Sequence, residues 1–312
     1  MKYYLAPLEG YTGFTVRNAI EKFFPGMDKY FTPFLPMSQK LGAKYIRDIL
    51  PENNHVKELV PQIMATNIDE VNHLYNLVKD YGYKTLNINL GCPSGTVVSK
   101  NRGAGFLRDT DELDRFLYDI SEKAPCSISI KTRIGFYDLN EWEDILNVYK
   151  KYSFEELIIH PRIQKELYKG VPHIDAFKMA YEVIDKSPLI YNGDVRCVED
   201  INRITSEFPN ISGIMIGRGM FINPDILFEY NNGHYPADYR DRLVEFHDYI
   251  YDEYMELFSG EADVLMHMKG IWAYMVLGFK DAEKILKKIR KTKHASEYKA
   301  LAHEILLHNE FS

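Results

Sequence analysis

The first 216 residues of the chain alternate between short strand-like segments and amphipathic helical patterns. In segments 69–79 and 111–122, for example, apolar residues recur on one face of a helix. Eight such alternations favour an α/β fold, a parallel sheet closed into a (β/α)8 or TIM barrel. An open doubly wound sheet is the alternative, but no GxGxxG pattern follows the first strand, and polar residues end nearly every strand. The predicted strands are 3–6, 29–32, 59–64, 85–90, 127–131, 156–160, 189–192 and 213–216.

The alternation stops at residues 233–237, and no convincing strand follows. Gly260 and the segment 277–279 interrupt the remaining chain in the way that helix ends do. We therefore predict two domains, a catalytic barrel over 1–235 and an all-helical domain over 236–312. The helical patterns of the second part lie at 238–259, 263–277, 280–290 and 295–308.

Composition restricts the class of protein. The chain has 46% hydrophobic and 27% charged residues, typical of a globular protein, and no apolar run is long enough for a signal peptide or a membrane span. Its three cysteines show neither metal-ligand spacing nor a disulfide framework, which indicates a reducing cytoplasm. A net charge of −7 argues against strong non-specific binding of nucleic acid by the whole chain. We expect a cytoplasmic monomer with no metal ion and no membrane contact.

One cysteine lies at the carboxyl end of a predicted strand. Segment 84–90 runs directly into Gly91, Cys92 and Pro93. The glycine permits a sharp turn, and the proline ends the strand and biases Cys92 towards an extended conformation. A lone cysteine beside a strand is usually a small buried apolar residue. The carboxyl ends of parallel strands are where α/β proteins carry out their chemistry, so this position favours a reactive thiol.

Polar residues also end the other predicted strands. The last two strands run into glycine-containing turns at 192–194 and 217–219, where such barrels bind phosphate through backbone N–H groups. Each residue alone has an ordinary explanation, as a rim lysine, a capped histidine or a common turn. Together they suit a cavity for a phosphorylated planar cofactor, in which a lysine near the ring stabilises negative charge on a reduced flavin. The set is Glu9, Gln62, Asn89, Lys131, Arg133, His160, Arg162, Asn192, Asp194 and Arg218.

The order and spacing of these motifs resemble the dihydrouridine synthases, flavin enzymes that reduce uridine in tRNA. The resemblance covers residues 5–227 and continues more loosely through the helical tail. Leu8 and Gly13 stand where Met and Asp are usual in the family, and Pro161 and Ile163 replace the usual Gly and Thr. The matching stretches are residues 6–10, 87–93, 103–107, 130–133, 159–162, 192–194 and 216–219.

The resemblance implies a role for particular residues. Cys92 matches the proton donor of the family, Lys131 resembles the lysine near the flavin ring, and Gln62 is similar to the residue that hydrogen-bonds the edge of the isoalloxazine. Members of the family hold FMN non-covalently and use NADPH as reductant. The loop against the flavin is matched by Pro7, Leu8 and Glu9. The ribityl and phosphate contacts are matched by His160, Asn192, Gly193, Asp194, Gly217 and Arg218.

The implied reaction needs an acid beside the substrate base. The C4 carbonyl of uracil polarises the C5=C6 bond, so reduced flavin N5 can deliver hydride to C6, and a proton must then reach C5 from the other side of the ring. A thiol with an ordinary pKa of about 8.5 is mostly protonated at pH 7 and can supply it. A thiolate nucleophile would need a depressed pKa and a neighbouring base, and no histidine adjoins Cys92 in sequence. The uridine must leave its stack to reach a buried flavin, so base flipping is expected.

Candidate RNA contacts lie in both predicted domains. Asn89 ends the cysteine strand, and Arg102 lies in the loop after the cysteine, either as a cover over the substrate or as an ordinary charged surface residue. Segment 280–299 carries eight basic and three acidic residues, whereas 241–263 carries eight acidic residues and one basic residue. Such a lysine run is often a solvated helix face, but a barrel with an RNA substrate favours a phosphate-binding stripe. The stripe consists of Lys284, Lys287, Lys288 and Lys291.

Three functional hypotheses follow, and the motif set favours the first. The first is reduction of uridine in tRNA to 5,6-dihydrouridine with FMN and NADPH. The second is an FMN-dependent barrel that reduces a free small molecule such as a pyrimidine or an enone, and the helical tail counts against it. The third is a barrel without chemistry that only binds RNA, which predicts loss of the cysteine or the phosphate turns. The modified uridine, the kind of RNA and the choice between NADPH and NADH stay open at this point.

Overall fold

Nine short strands line the centre of the computed structural model, which describes residues 1–312. They are β1 (Lys2–Leu5), β2 (Lys29–Phe31), β3 (Leu59–Val60), β4 (Gln62–Ile63), β5 (Thr85–Leu90), β6 (Ser127–Gly135), β7 (Leu157–Ile163), β8 (Leu189–Asn192) and β9 (Gly213–Ile216). All neighbouring pairs are parallel, in the order β3-β2-β1-β9-β8-β7-β6-β5-β4. Only Pro61 separates β3 from β4 in sequence, so the sheet closes into a barrel through this residue. The predicted TIM-barrel class is confirmed.

Two of the predicted strands are shifted or shortened by a single residue, and three others differ more from the observed ones. The segment predicted as one strand over 59–64 is divided by Pro61, which has no N–H to donate to the ladder, although its carbonyl oxygen accepts the N–H of Asn87 at 2.9 Å. The strands predicted to end at 131 and 160 extend to Gly135 and Ile163, because β6 and β7 pair with each other along that length.

Helices follow the strands and cover the outer face of the barrel. Two of them, α3 (Ile68–Val78) and α5 (Thr110–Lys123), begin at residues whose side chains accept a backbone N–H of the first turn, Asn67 and Asp109. Both match the predicted helices within one residue. The other helices of this part are α1 (Phe14–Phe23), α2 (Ala43–Ile49), α4 (Gly95–Val98), α6 (Glu141–Tyr149), α7 (Ile174–Val183), α8 (Val198–Glu207), α9 (Gly219–Ile222) and α10 (Ile226–Asn232).

A buried ion pair closes the amino-terminal end of the barrel. The ammonium group of Lys29 lies 2.8 Å from a carboxylate oxygen of Glu156, and both side chains are almost fully buried. The hydroxyl of Tyr4 donates to the same carboxylate. The predicted site residues lie at the opposite mouth, formed by the carboxyl ends of the strands.

Four helices form the rest of the chain and pack against the barrel. They are α11 (Tyr239–Leu257), α12 (Glu261–Met275), α13 (Ala282–Lys291) and α14 (Ala295–His308), close to the predicted ranges. Arg242 of α11 donates to the carbonyl oxygen of Phe23 and pairs with Asp225 at 3.0 Å, while Phe246 packs on Phe24 with ring centroids 5.4 Å apart. The division into domains at 235/236 stays a prediction. None of the helices combines the length and the apolar character needed to cross a membrane.

Candidate active site

Two adjoining cavities open at the carboxyl ends of the barrel strands. The larger, of about 230 Å³, contains Cys92 and is called the cysteine cavity here. The smaller, of about 70 Å³, lies against Gly193 and Gly217 and is called the glycine cavity. Six residues line both cavities, so the two form one continuous site. The shared residues are Pro7, Leu8, Lys131, His160, Tyr168 and Arg218.

Most of the site residues predicted from the sequence lie together in this site. Besides the shared residues, the cysteine cavity is lined by Cys92, Glu9, Gln62 and Asn89, and the glycine cavity by Asn192, Gly193, Asp194 and Gly217. Together they come from the carboxyl ends of seven strands, β1 and β4 to β9, as the alternation of the sequence predicts. Their individual roles stay predictions. Outside both cavities lie Arg102 and the four stripe lysines, Lys284, Lys287, Lys288 and Lys291.

Arg102 is engaged beside the site. Its guanidinium forms a salt bridge with Glu70, with one N–H donating at 2.8 Å, and also donates to the carbonyl oxygen of Met64. These contacts connect the loop after Cys92 to the start of α3. A substrate-covering role for Arg102 stays a prediction, and these contacts do not support it.

The backbone around Cys92 is held on both sides. The Asn89 side-chain oxygen accepts the N–H groups of Gly91 at 3.0 Å and Cys92 at 2.8 Å, and the Cys92 carbonyl oxygen accepts the N–H of Ala104 at 3.0 Å. Gly103 has a φ of +55°, and a Cβ there would lie 2.8 Å from the Cys92 carbonyl oxygen. Cys92 is therefore presented by a turn that tolerates no side chain at Gly103.

Burial raises the pKa of the Cys92 thiol above its ordinary value, and this effect outweighs the opposing influence of Arg133 and Lys131. A raised pKa keeps the thiol protonated at neutral pH. The geometry thus favours an acid at this position over a thiolate nucleophile, which needs the opposite shift.

A chain of polar side chains links the neighbouring strands β4, β5 and β6 below the cysteine turn. Asn89 donates to the Gln62 side-chain oxygen at 2.8 Å, Gln62 donates to Asn87 at 2.8 Å, and Asn87 donates to the Ser129 hydroxyl at 2.8 Å. Gln62, Asn87 and Ser129 are buried. Because each amide group is fixed by the next, the Asn89 oxygen that holds the cysteine turn has a defined orientation.

Lys131 stands between the two cavities. Burial, reinforced by the nearby Arg133 cation, lowers the pKa of Lys131 to about 7. In the free protein at neutral pH, Lys131 is therefore only about half protonated. An anion or an electron-rich ring placed beside it would restore the charge, which is the behaviour expected of a residue that binds negative charge.

Arginines surround the carboxylate of Asp194 at the glycine cavity. Arg162 and Arg218 each donate to it at 2.6 Å, and Arg196 lies 3.4 Å away. Burial opposes ionisation, but these arginines hold the pKa of Asp194 below its ordinary value. Asp194 therefore holds three arginines in place. Because one carboxylate balances only one of these cations, the glycine cavity keeps a net positive charge. His160 also lines this cavity.

His160 is neutral in this surrounding. Burial and then the neighbouring cations, Arg133 first, lower the pKa of His160 well below its ordinary value. Arg162 can only donate, and it lies 3.1 Å from Nε2 of His160, so that nitrogen accepts and the proton belongs on Nδ1.

Several aromatic lining residues were missed by the sequence analysis. Tyr168 lies with its ring 5.4 Å from the Arg133 guanidinium carbon and 4.7 Å from that of Arg218. Tyr274 of α12 reaches the cysteine cavity and packs against Tyr11, with centroids 5.2 Å apart. No periodicity marks these tyrosines as site residues, because only the folded chain brings the loop after β7 and the helical tail to the barrel mouth. The missed aromatic residues are Tyr11, Phe34, Tyr168 and Tyr274, and Arg196 is a missed charged residue.

The donor set fits a phosphorylated, planar cofactor. The glycine cavity offers Arg196 and Arg218 to a phosphate, and the cysteine cavity offers flat aromatic and amide walls to a ring. The loops after β8 and β9 approach so closely that a Cβ at Gly219 would lie 2.0 Å from the Val195 carbonyl oxygen. The glycine thus allows the two loops that line the glycine cavity to meet.

Comparison with known proteins places this site in a family. The family model described as dihydrouridine synthase matches residues 4–311. A probable tRNA-dihydrouridine synthase of Staphylococcus epidermidis is 26% identical over 307 residues, which are 95% of this chain and 91% of the relative. Probable tRNA-dihydrouridine synthase 2 of Bacillus subtilis is 26% identical over 304 residues, with the same shares of 95% and 91%.

Solved structures agree on the fold. Morphinone reductase in complex with tetrahydroNAD has a TM-score of 0.52 at 10% identity, covering 74% of this chain and 86% of its own. TcOYE with pHBA has a TM-score of 0.53 at 10% identity, covering 74% and 89%. At this identity the likeness concerns the barrel alone. The match over nearly the whole chain shows that this protein is an enzyme of the dihydrouridine synthase family, a family of flavin oxidoreductases.

Proposed function

We propose that this enzyme reduces a uridine of tRNA to 5,6-dihydrouridine, with FMN as its flavin and NADPH as the reductant. The observation that carries the proposal is the Cys92 thiol, kept protonated by burial, in a cavity continuous with the cationic glycine cavity. Family membership and the names of the curated relatives support the same reaction. A tRNA substrate also favours the cytoplasm as the site of the reaction.

The residues of the chain divide the work of the reaction. A bound reduced flavin supplies the hydride for C6 of the uracil ring. The Cys92 thiol donates its proton to C5 and recovers it from solvent, so the base gains two hydrogen atoms in total. Lys131 meets negative charge beside the ring, and the arginines around Asp194 hold the phosphate. The aromatic walls of the cysteine cavity receive a flipped uracil and exclude water.

The reaction is tested with purified protein, an unmodified tRNA transcript and NADPH. We expect mass spectrometry of the digested tRNA to show a uridine that has gained two hydrogen atoms, and fragment mapping to locate it. Free uridine and a simple enone serve as competing substrates. Turnover of these small molecules with no change in the tRNA would contradict the proposal and favour a small-molecule reductase.

The cofactor prediction concerns the identity of the flavin and the pH dependence of its binding. We expect denaturation of the purified protein to release FMN, since the sequence lacks a dinucleotide fingerprint. An anionic ligand beside Lys131 raises its pKa above the value of about 7 in the free protein. The contribution of Lys131 to FMN affinity should therefore be constant below pH 7 and fall above it, by at most about tenfold per pH unit, until the pKa of the complex is passed. Calorimetric titration of the flavin-free protein across pH measures this.

Lys131→Met is the matched control for the cofactor prediction. It should bind FMN more weakly below pH 7 and lose most of the decline above it, because the linked proton is gone. A variant that retains the full decline would assign the linked proton to another group. Release of FAD alone would reject FMN as the cofactor.

A further inference from the structure

A third cavity lies beside the cysteine cavity and has no part in the chemistry above. It has a volume of about 370 Å³, within the usual range of ligand sites of about 300–1,000 Å³. Its walls come from the loop after β1, from α2, and from the junction of α11 and α12; we call it the side cavity. It shares Glu9 and Pro33 with the cysteine cavity. A polymeric substrate whose base enters the cysteine cavity therefore has its next unit close to the side cavity.

Aromatic rings form much of its wall. Phe258 and His267 stack with centroids 4.3 Å apart and an interplanar angle of 21°, and Tyr254 packs on both at 5.3 and 5.6 Å. Tyr45 of α2 contributes a further ring. None of these rings is needed for the proposed proton or hydride transfer. Flat aromatic surfaces of this kind bind nucleobases by stacking, with little dependence on the identity of the base.

The charges of the side cavity suit a nucleotide. Lys44 and Arg47 of α2 line it, and neither takes part in a salt bridge. The acidic Asp48 is already engaged, since it accepts the N–H of Phe14 at 2.7 Å and pairs with Arg17 at 3.2 Å. Lys44 and Arg47 thus remain for the phosphates that flank a base, against one lining carboxylate without a salt bridge, Glu9, whose pKa is raised by burial.

We propose that the side cavity binds the nucleobase next to the target uridine in the RNA, by stacking on its aromatic wall, with Lys44 and Arg47 at the adjoining phosphates. The inference rests on the proposed tRNA substrate and extends it to a second subsite. The side cavity holds the strand on one side of the flipped uridine, and thereby fixes where along the RNA the cysteine cavity receives a base.

The test pairs a change in the RNA with a change in the wall. Once the reduced uridine is mapped, tRNAs are assembled with an abasic nucleotide immediately 5′ or 3′ of it. In the unmodified enzyme, one of the two substitutions should lower kcat/KM by roughly 5- to 150-fold, the range expected for loss of one base–aromatic stack. In Phe258→Leu and in Tyr45→Leu, the intact and abasic tRNAs should differ by much less, because the stacking surface is already reduced.

The outcomes separate this inference from the proposed function. Tyr118→Leu, an exposed tyrosine on α5 outside all three cavities, should keep the full discrimination between intact and abasic tRNA. Flavin content and reduction by NADPH check that each variant is folded. If Phe258→Leu and Tyr45→Leu both distinguish intact from abasic tRNA as strongly as the unmodified enzyme does, the side-cavity site is overturned. Uridine reduction is not affected by that result. An enzyme that reduces no tRNA uridine overturns both.

Discussion

Cys92→Ala should lose uridine reduction by about 10²- to 10⁴-fold while it retains its flavin, because a single general acid contributes about that much to a rate. The thiol lines the cysteine cavity but not the glycine cavity, where the phosphate is expected, so its removal leaves the arginine cluster intact. Reduction of the bound flavin by NADPH should therefore continue. The measurement is a single turnover, in which enzyme reduced by NADPH is mixed with tRNA and the reoxidation of the flavin is followed.

The pH profile provides a second signature of the acid. Burial raises the pKa of Cys92, and the thiol must be protonated to act. The rate of the tRNA-dependent step should thus stay level through the pH range in which an ordinary thiol ionises, above about 8.5, and fall only at higher pH. The residual activity of Cys92→Ala should lack this decline.

Cys126→Ser is the matched control for the acid. Cys126 directly precedes β6 and therefore lies at the amino-terminal end of the barrel, opposite the mouth that holds Cys92. Its side chain is partly buried against the core, so the variant tests the general cost of changing a cysteine. We expect near-normal turnover. An equal loss of tRNA-dependent reoxidation in Cys126→Ser and Cys92→Ala would contradict the assignment of the acid.

The alternation of strands and helices could be predicted because each element has its own local spacing of apolar residues. The apolar faces of α3 and α5 recur at helical spacing, and the side chains of Asn67 and Asp109 mark their first turns. In a closed barrel every strand ends at the same mouth, so a correct strand order also collects most of the site. This geometry explains why residues as distant in sequence as Glu9 and Arg218 were predicted together.

The strand ends were predicted less well, for a physical reason. Arg133 and Arg162 look like the start of a polar loop, yet they continue β6 and β7, with their side chains buried at the barrel mouth. Arg133 is only 1% exposed, and its guanidinium donates to the carbonyl oxygens of Gly91 at 3.0 Å, of Ile163 at the end of β7, and of Leu167 in the loop that follows. A polar residue in a sequence is normally expected to be exposed to solvent. That expectation is wrong where polar side chains line the interior of a site, as they do here.

Contacts between distant segments could not be derived from the chain. Arg102 was expected either to cover the substrate or to lie free on the surface, but it pairs with Glu70, 32 residues away. Tyr274 occupies a helix whose pattern indicates only core packing, yet α12 carries it to the cysteine cavity. The helical tail therefore contributes directly to the wall of the site, which its periodicity alone does not reveal.

The second prediction with a large expected effect concerns the surface with which this acidic protein binds RNA. In α13, Ile285 and Ile289 are buried, while the four stripe lysines are exposed and take part in no salt bridge. The lysines at both ends of the basic segment differ, since Lys280 pairs with Glu310 at 2.7 Å and Lys299 lies 3.6 Å from Asp252. The stripe, Lys284, Lys287, Lys288 and Lys291, is thus, together with Arg290 and Lys293, the part of the segment whose positive charge forms no salt bridge within the chain.

Changing Lys287, Lys288 and Lys291 together to Glu should weaken tRNA binding without disturbing FMN. Each lysine that contacts a phosphate releases a counterion on binding, so the slope of log affinity against log salt should become shallower by about two to three units. The slope is measured by fluorescence anisotropy of labelled tRNA over a series of salt concentrations. The proposed flavin site is the pair of cavities in the barrel mouth, and none of the three lysines lines either cavity.

A second triple variant separates a local effect from the change in net charge. Lys79 and Lys150 directly follow α3 and α6, and Lys178 lies on α7; all three are exposed, and their replacement by Glu lowers the net charge by the same amount. If the stripe contacts RNA, this control should keep most of the affinity and the original salt slope. Equal losses in the two variants would instead show that tRNA responds to the overall charge of the protein. An unchanged slope in the stripe variant would place the phosphate contacts elsewhere, for example at Lys44 and Arg47 of the side cavity.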